Sequence, residues 1–346
     1  MKVEKYYDCL EELRGKRRSI SLLLGNGFSM AYKPKIFSYN ALQTFIAEFS
    51  DPLINHLFEV VKSKNLEVIM QQLHVLSDLL GVFGDYPDLK ERVAAADQSL
   101  RKCLINAVQT LHPEHVFTVP EEQIASCHTF LDSYLSGDGS IFTTNYDILL
   151  YWVLLRSGNQ NHKDGFGYEL ENPEEKDPDE QIRSDILTWG PNVGGQNVHY
   201  LHGALHLFDN GIDIEKEMYD SAGYLLQHIE GRMGNEKYPI FVTAGDSNDK
   251  LAQIKHNRYL DYCYQRLCKV QGSLIAFGFN FGVYDYHIIE AINEAAHHGH
   301  GSGDKLFSIY IGVYSESDVE HIEKIAGNFR CKVRLFDSRS ANVWNN

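Results

Sequence analysis

Hydrophobic positions in this chain follow two different periods, and the switch between them marks its organisation. Ser19 to Leu24 (SISLLL) is a short apolar run that breaks abruptly into Gly25-Asn26-Gly27-Phe28-Ser29. A buried parallel strand enters a tight turn in this way. From Ala41 to Gly137 apolar residues recur three and four apart, as in LINHLFEVVKS, LEVIMQQLHVLSDLLGVF, LKERVAAADQSLRKCLINAVQTL and EEQIASCHTFLDSYLS. That spacing predicts an all-helical insert of about four or five helices. Strand character returns at Ser140 to Thr143, then at Val198 to Leu201, Ile240 to Thr243, Leu274 to Phe277, Phe307 to Val313 and Cys331 to Phe336. Helical stretches at Leu251 to Val270, Tyr286 to Ala296 and Ser317 to Gly327 separate most of these runs.

Strands alternating with helices predict an α/β fold, a doubly wound and mostly parallel Rossmann-like sheet interrupted by the helical insert. The expected division is residues 1–38 and 138–346 for the sheet domain and 39–137 for the insert. Asn172 to Ile186 is acidic and contains proline, which suits an exposed loop or short helix.

Composition narrows the function classes. Hydrophobic residues make up 43% of 346, enough for a sizeable core, and no run of 18 apolar residues occurs. The first residues lack the apolar stretch of a secretory signal, so the expected setting is cytoplasmic. Lys and Arg total 32 against 47 for Asp and Glu, a net charge of -15. This disfavours direct nucleic-acid or anionic-membrane binding. Six cysteines, at 9, 103, 127, 263, 268 and 331, form no CxxC pair, so neither a zinc ribbon nor a disulfide framework is expected.

Four polar segments follow apolar strands, where ligands of doubly wound sheets bind. In the first, the glycines Gly25 and Gly27 would let backbone amides approach a pyrophosphate, with Asn26 and Ser29 beside them. Thr143-Thr144-Asn145-Tyr146-Asp147 could hydrogen-bond a ribose, a carboxamide or a water, although Asn145 or Asp147 could equally cap the next helix. Tyr200-Leu201-His202-Gly203 places a histidine at a strand end. Gly278-Phe279-Asn280-Phe281-Gly282-Val283-Tyr284-Asp285 could be a second cradle or an ordinary glycine-rich turn. Beyond the first glycine turn the chain enters the helical insert rather than a βαβ unit, so no acidic residue about 20 residues on is placed as a Rossmann dehydrogenase requires.

Taken in order, GNGFS, TTNYD, LHG and GFNFGVYD resemble the sirtuin superfamily, in which such segments converge on NAD. The resemblance implies Gly25, Asn26, Gly27 and Ser29 near the pyrophosphate. It sets Thr144, Asn145 and Asp147 near the nicotinamide ribose and His202 as base. Gly278, Asn280 and Asp285 would line the other side, and Tyr314 and Ser315 would face the adenine. Residues 204–238 contain no cysteine, whereas sirtuin deacylases carry a four-cysteine zinc module there. Together with the helical insert, this makes the chain similar to bacterial sirtuin-like NAD hydrolases of antiphage defence. That likeness implies NAD as substrate, no metal, a homo-oligomer and a partner ATPase of the HerA type. Asn145, His202 and Asp147 would be catalytic, with His202 titrating near its reference pKa of about 6.5. The competing expectations are an NAD-dependent protein deacylase or ADP-ribosyltransferase, and a sensor that binds NAD or ADP-ribose without turnover.

Overall fold

The computed structural model describes residues 1–33, 52–61, 66–84, 86–111, 116–156, 158, 161–170, 183–219, 224–235, 237–242, 246–297 and 305–345. Seven strands form a parallel sheet: β1 (Val3–Lys5), β2 (Ile20–Leu24), β3 (Ile141–Thr143), β6 (Val198–Tyr200), β10 (Gly272–Phe277), β11 (Leu306–Val313) and β12 (Lys332–Asp337). Every residue of β2, β3, β6 and β10 is buried. Because successive side chains point to opposite faces, a strand with no exposed position is covered on both sides. The helices Glu121–Leu135, Arg258–Leu267 and Tyr286–His297 are among those that pack against this sheet.

The sheet order is β1-β12-β11-β10-β2-β3-β6. Leaving aside the edge strand β1 and numbering the other six as they occur in the chain, this is the 3-2-1-4-5-6 order of a dinucleotide-binding Rossmann sheet. The chain runs outward from β2 to β3 and β6, then returns to β10 on the other side of β2. The point where the order reverses therefore lies between β2 and β10, and each of the four polar segments follows one of the four adjacent strands β10, β2, β3 and β6.

A second, antiparallel sheet has the order β4-β5-β8-β7-β9, made of β4 (Phe166–Leu170), β5 (Arg183–Trp189), β7 (Gly203–Asp209), β8 (Ile214–Lys216) and β9 (Pro239–Phe241). The run Ile240 to Thr243, expected in the parallel sheet, supplies β9 of this sheet instead and pairs with β7, while Thr243 lies outside the described residues. A short apolar run signals a strand but not its partner. Of the acidic stretch Asn172 to Ile186, residues 172–182 lie outside the described residues, and 183–186 open β5 rather than a loop or helix.

Two helical boundaries also differ from the periodicity. Leu251 to Val270 is divided between the helices Ser247–His256 and Arg258–Leu267. Between them the Asn257 side chain accepts hydrogen bonds from the amides of Tyr259 and Leu260 at 3.1 Å, restarting the helix as a cap. In the helical stretch before β3, the helices Pro52–Val61, Leu66–Phe83 and Pro87–Leu111 pack on one another, whereas Glu121–Leu135 lies on β2 and β3. The last helix buries Ile124, Cys127, Leu131 and Tyr134 and so belongs to the layer covering the sheet. Among the described residues no helix is long and apolar enough to cross a membrane.

Candidate functional site

The first glycine turn is shaped by its neighbour across the switch point. The amide of Gly25 donates to the Phe277 carbonyl at 3.0 Å and that of Gly27 to the Gly278 carbonyl at 2.8 Å. A Cβ on Gly25 would stand 2.6 Å from the Gly278 oxygen and from the Phe279 Cα, too close for any side chain. These glycines thus let two strand-end turns touch, and those two amides are committed to the adjacent turn rather than directed at an anion. Gly278 itself is left-handed, with φ +66°. Asn26 caps the short helix Gly27–Tyr32 through its carbonyl, which accepts from the Met30 amide.

Behind that turn lies a buried polar chain. Ser29 Oγ donates to Asp147 Oδ2 at 2.6 Å, and Asn145 Nδ2 donates to Ser29 Oγ at 3.0 Å. Asp147 Oδ1 accepts the Leu149 amide at 3.0 Å and so also caps the helix Leu149–Arg156. The capping role weighed for Asp147 is real, and it coexists with the link to Ser29. Burial pushes the Asp147 carboxyl up to about 6, against these two hydrogen bonds, which favour the carboxylate. Thr144 is tied to β2 by its amide, which donates to the Leu24 carbonyl.

His202 stands where the two sheets meet. The Leu201 amide donates to Thr143 at the end of β3, and the Val242 amide beyond β9 donates to the His202 carbonyl at 2.9 Å. Gly203 follows with φ +77°, and a Cβ there would lie 2.0 Å from the Ile240 oxygen. His202 is 6% exposed, and its Nε2 lies 2.9 Å from Nε2 of His287. His287 Nδ1 is 3.2 Å from Ser247 Oγ, and the same hydroxyl oxygen accepts the His287 amide at 2.6 Å. Beside the two rings, Lys250 Nζ donates to Asp285 Oδ1 at 2.7 Å with the lysine 2% exposed.

Burial, followed by the neighbouring His287 and the Lys250 ammonium, holds His202 well below the usual histidine range. The expectation that it titrates near neutrality is therefore corrected: His202 is neutral at pH 7. His287 is likewise lowered, to about 4, chiefly by burial. Donor atoms of His202, His287 and Asp285 lie within 4.8 Å of one another. A divalent ion would have to displace both the hydrogen bond joining the rings and the ammonium already on the carboxylate. The set as built fits a hydrogen-bonded, ion-paired group rather than a metal cage.

The structure thus brings together Ser29, Asn145 and Asp147 in one network, and His202 with Asp285 in another. Asn280 is less involved: its side chain is exposed, and its carbonyl accepts from His321 Nε2. Ser315 caps the helix Glu316–Ile325, and Tyr314 is exposed beside Arg339. Ser247, Lys250 and His287 escaped the sequence reading. Each sits within or beside a helix, where its polar character resembled an ordinary solvated face; only the histidine two residues after Asp285 offered a signal.

This site lies within a stretch of the chain that matches a known family. The family is described as a domain of unknown function, DUF4917, and the match spans residues 22–344. The chain belongs to the DUF4917 family. A comparison with curated proteins returns no match. The matched DUF4917 region contains all four strand-end segments and both polar networks.

Proposed function

We propose that this DUF4917 protein is an NAD hydrolase that cleaves the nicotinamide-ribose bond to give nicotinamide and ADP-ribose. The observation that carries the reading is the convergence of GNGFS, TTNYD, LHG and GFNFGVYD at the carboxyl ends of four adjacent strands, two of them bounding the switch point. Doubly wound sheets bind their ligands there.

Breaking that bond develops positive, oxocarbenium-like charge on the ribose as a neutral amide leaves. In this reading the Asn145 carboxamide fixes a water and the ribose, its orientation set through Ser29 by Asp147. His202, neutral at pH 7, takes a proton from the water or a ribose hydroxyl. Asp285 is engaged by Lys250 and acts on the His202 side of the site. In a cell such an activity needs restraint, which a homo-oligomer or a partner ATPase in a defence complex would supply.

Purified protein incubated with NAD should release nicotinamide and ADP-ribose in equal amounts, resolved by chromatography. His202→Ala should slow release by roughly 10² to 10⁴-fold, the range for a positioned acid or base, and Asn145→Ala should do comparable damage. Near-wild-type rates in both variants would remove the site assignment. Tight NAD binding with no turnover by the wild type would favour the sensor instead.

A further inference from the structure

Two neutral imidazoles facing each other through Nε2 constrain each other's protons. Each ring carries one N–H, so across the 2.9 Å contact one Nε2 donates and the other accepts. His287 is constrained a second time, because its Nδ1 meets Ser247 Oγ at 3.2 Å. Only two arrangements satisfy both contacts. In one, Ser247 donates to Nδ1 of His287, Nε2–H of His287 donates to His202, and His202 carries its proton on Nδ1. In the other, His202 carries it on Nε2 and donates to His287, whose Nδ1–H donates to Ser247. The two histidines are of opposite tautomer in either case.

We propose that His287 is a positioning residue for His202, and that His202, His287 and Ser247 form a relay carrying a proton from the substrate side of His202 to solvent at Ser247. This use of the relay rests on the NAD-hydrolase reading. The relay starts from the second arrangement, in which His202 carries its proton on Nε2, so that its free Nδ1 accepts the incoming proton. As it does so, the Nε2 proton of His202 passes to Nε2 of His287. The Nδ1 proton of His287 then passes to the Ser247 oxygen, and the Ser247 hydroxyl proton leaves to water, so one proton enters and one departs. Ser247 is half-buried, at the start of a helix and next to the exposed Asp246, which gives that end access to solvent.

The surroundings favour transfer over storage. Lys250 and Asp285 face the pair as an ion pair, and the Tyr264 hydroxyl fixes the His287 backbone by donating to its carbonyl at 3.0 Å. A lasting imidazolium would be buried beside an ammonium. A base that cannot keep its proton needs a route for passing it on.

Long-range ¹⁵N–¹H NMR of the full chain, labelled at histidine and without ligand, should show both rings neutral at pH 7, His202 as the Nε2–H and His287 as the Nδ1–H tautomer, with signals assigned through His202→Gln and His287→Gln. Ser247→Ala should shift the tautomer balance of both rings, and Ser247→Thr should restore it. In NAD turnover, His287→Gln should lower kcat roughly 10²-fold with KM little changed and should alter the pH profile. Matching tautomers, the reversed pair with His202 protonated on Nδ1, an imidazolium at pH 7, an unmoved pattern in Ser247→Ala, or one bound metal ion per chain in the purified protein would each overturn the relay. The expected tautomer pair in a wild type that leaves NAD intact would retain the proton path and reject the hydrolase. Turnover abolished by His202→Ala alongside matching tautomers would reject the relay alone.

Discussion

Gly203 shows how a single residue can join two architectures. Three residues after Tyr200, where the parallel strand β6 ends, it begins the antiparallel sheet, with a left-handed backbone and the Ile240 carbonyl where a Cβ would be. Gly203→Ala should therefore destabilise by at least about 2 kcal/mol, since the left-handed conformation alone costs roughly 1 to 2 kcal/mol and the collision adds to it. Gly231 lies within the helix Leu225–Gly234 with open space where a Cβ would stand. Gly231→Ala should stabilise by up to about 1 kcal/mol from helix propensity. Denaturant titration of the two variants compares the signs, and equal effects would mean that the Gly203 junction adjusts freely. The pairing of Gly25 with Gly278 obeys the same rule: glycine at these turns was legible in the sequence, but its cause is another turn pressed against it.

At the scale of elements, the short helix Gly27–Tyr32 matters because it carries Ser29 between Asn145 and Asp147. Six residues cannot hold a helix by themselves. Trp344 supports it: the indole packs at 5.1 Å from the rings of both Phe28 and Tyr32, and its Nε1 donates to the Phe28 carbonyl at 2.9 Å. Trp344→Ala should cost about 3 to 5 kcal/mol, the usual penalty for removing a buried Trp. Under the proposed function it should also weaken NAD turnover in the fraction that remains folded, with Trp344→Phe intermediate. Unchanged denaturation midpoints would show that the helix stands without it. Nothing near Ser29 in sequence points to residue 344; 316 positions separate the bonded pair.

For the molecule as a whole, buried histidines set the response to acid. His199 and His206 are each lowered to about 3, His287 to about 4, and His202 well below 6.5, in every case chiefly by burial. Both ring nitrogens of His206 are buried without a hydrogen-bond partner among the described residues. Their folded values lie below the unfolded value near 6.5, so the unfolded chain takes up these protons first. The stability they confer is complete above pH 6.5 and is lost as pH falls toward 4 and 3. Asp147 acts oppositely: raised from 3.8 to about 6, it binds its proton first in the fold and gains stability as pH falls across that window. One raised carboxyl opposes four lowered histidines, so the net stability should fall as pH drops from 6 to 4.5. Urea unfolding across that range tests it; a flat or rising curve would mean that the histidines are hydrated in the fold.

Much of the parallel sheet was legible because a strand buried on both faces is mostly apolar, and such a strand ending in glycine and polar residues announces both its end and its turn. Local composition therefore determined β2, β3, β6, β10 and β11, and the alternating run of β12, whose end positions are exposed or half-exposed, and with them the doubly wound class and the four segments at the strand ends. Partner choice depends on surfaces far apart in the chain, so only the tertiary structure decided that β9 joins a second sheet, that Glu121–Leu135 covers the first, and that the strands take the order 3-2-1-4-5-6. The same holds for the site. The residue types at 145, 147 and 202 were visible as polar groups after strands, but the protonation of His202 depends on burial and on His287, Lys250 and Ser247, which other helices bring to it.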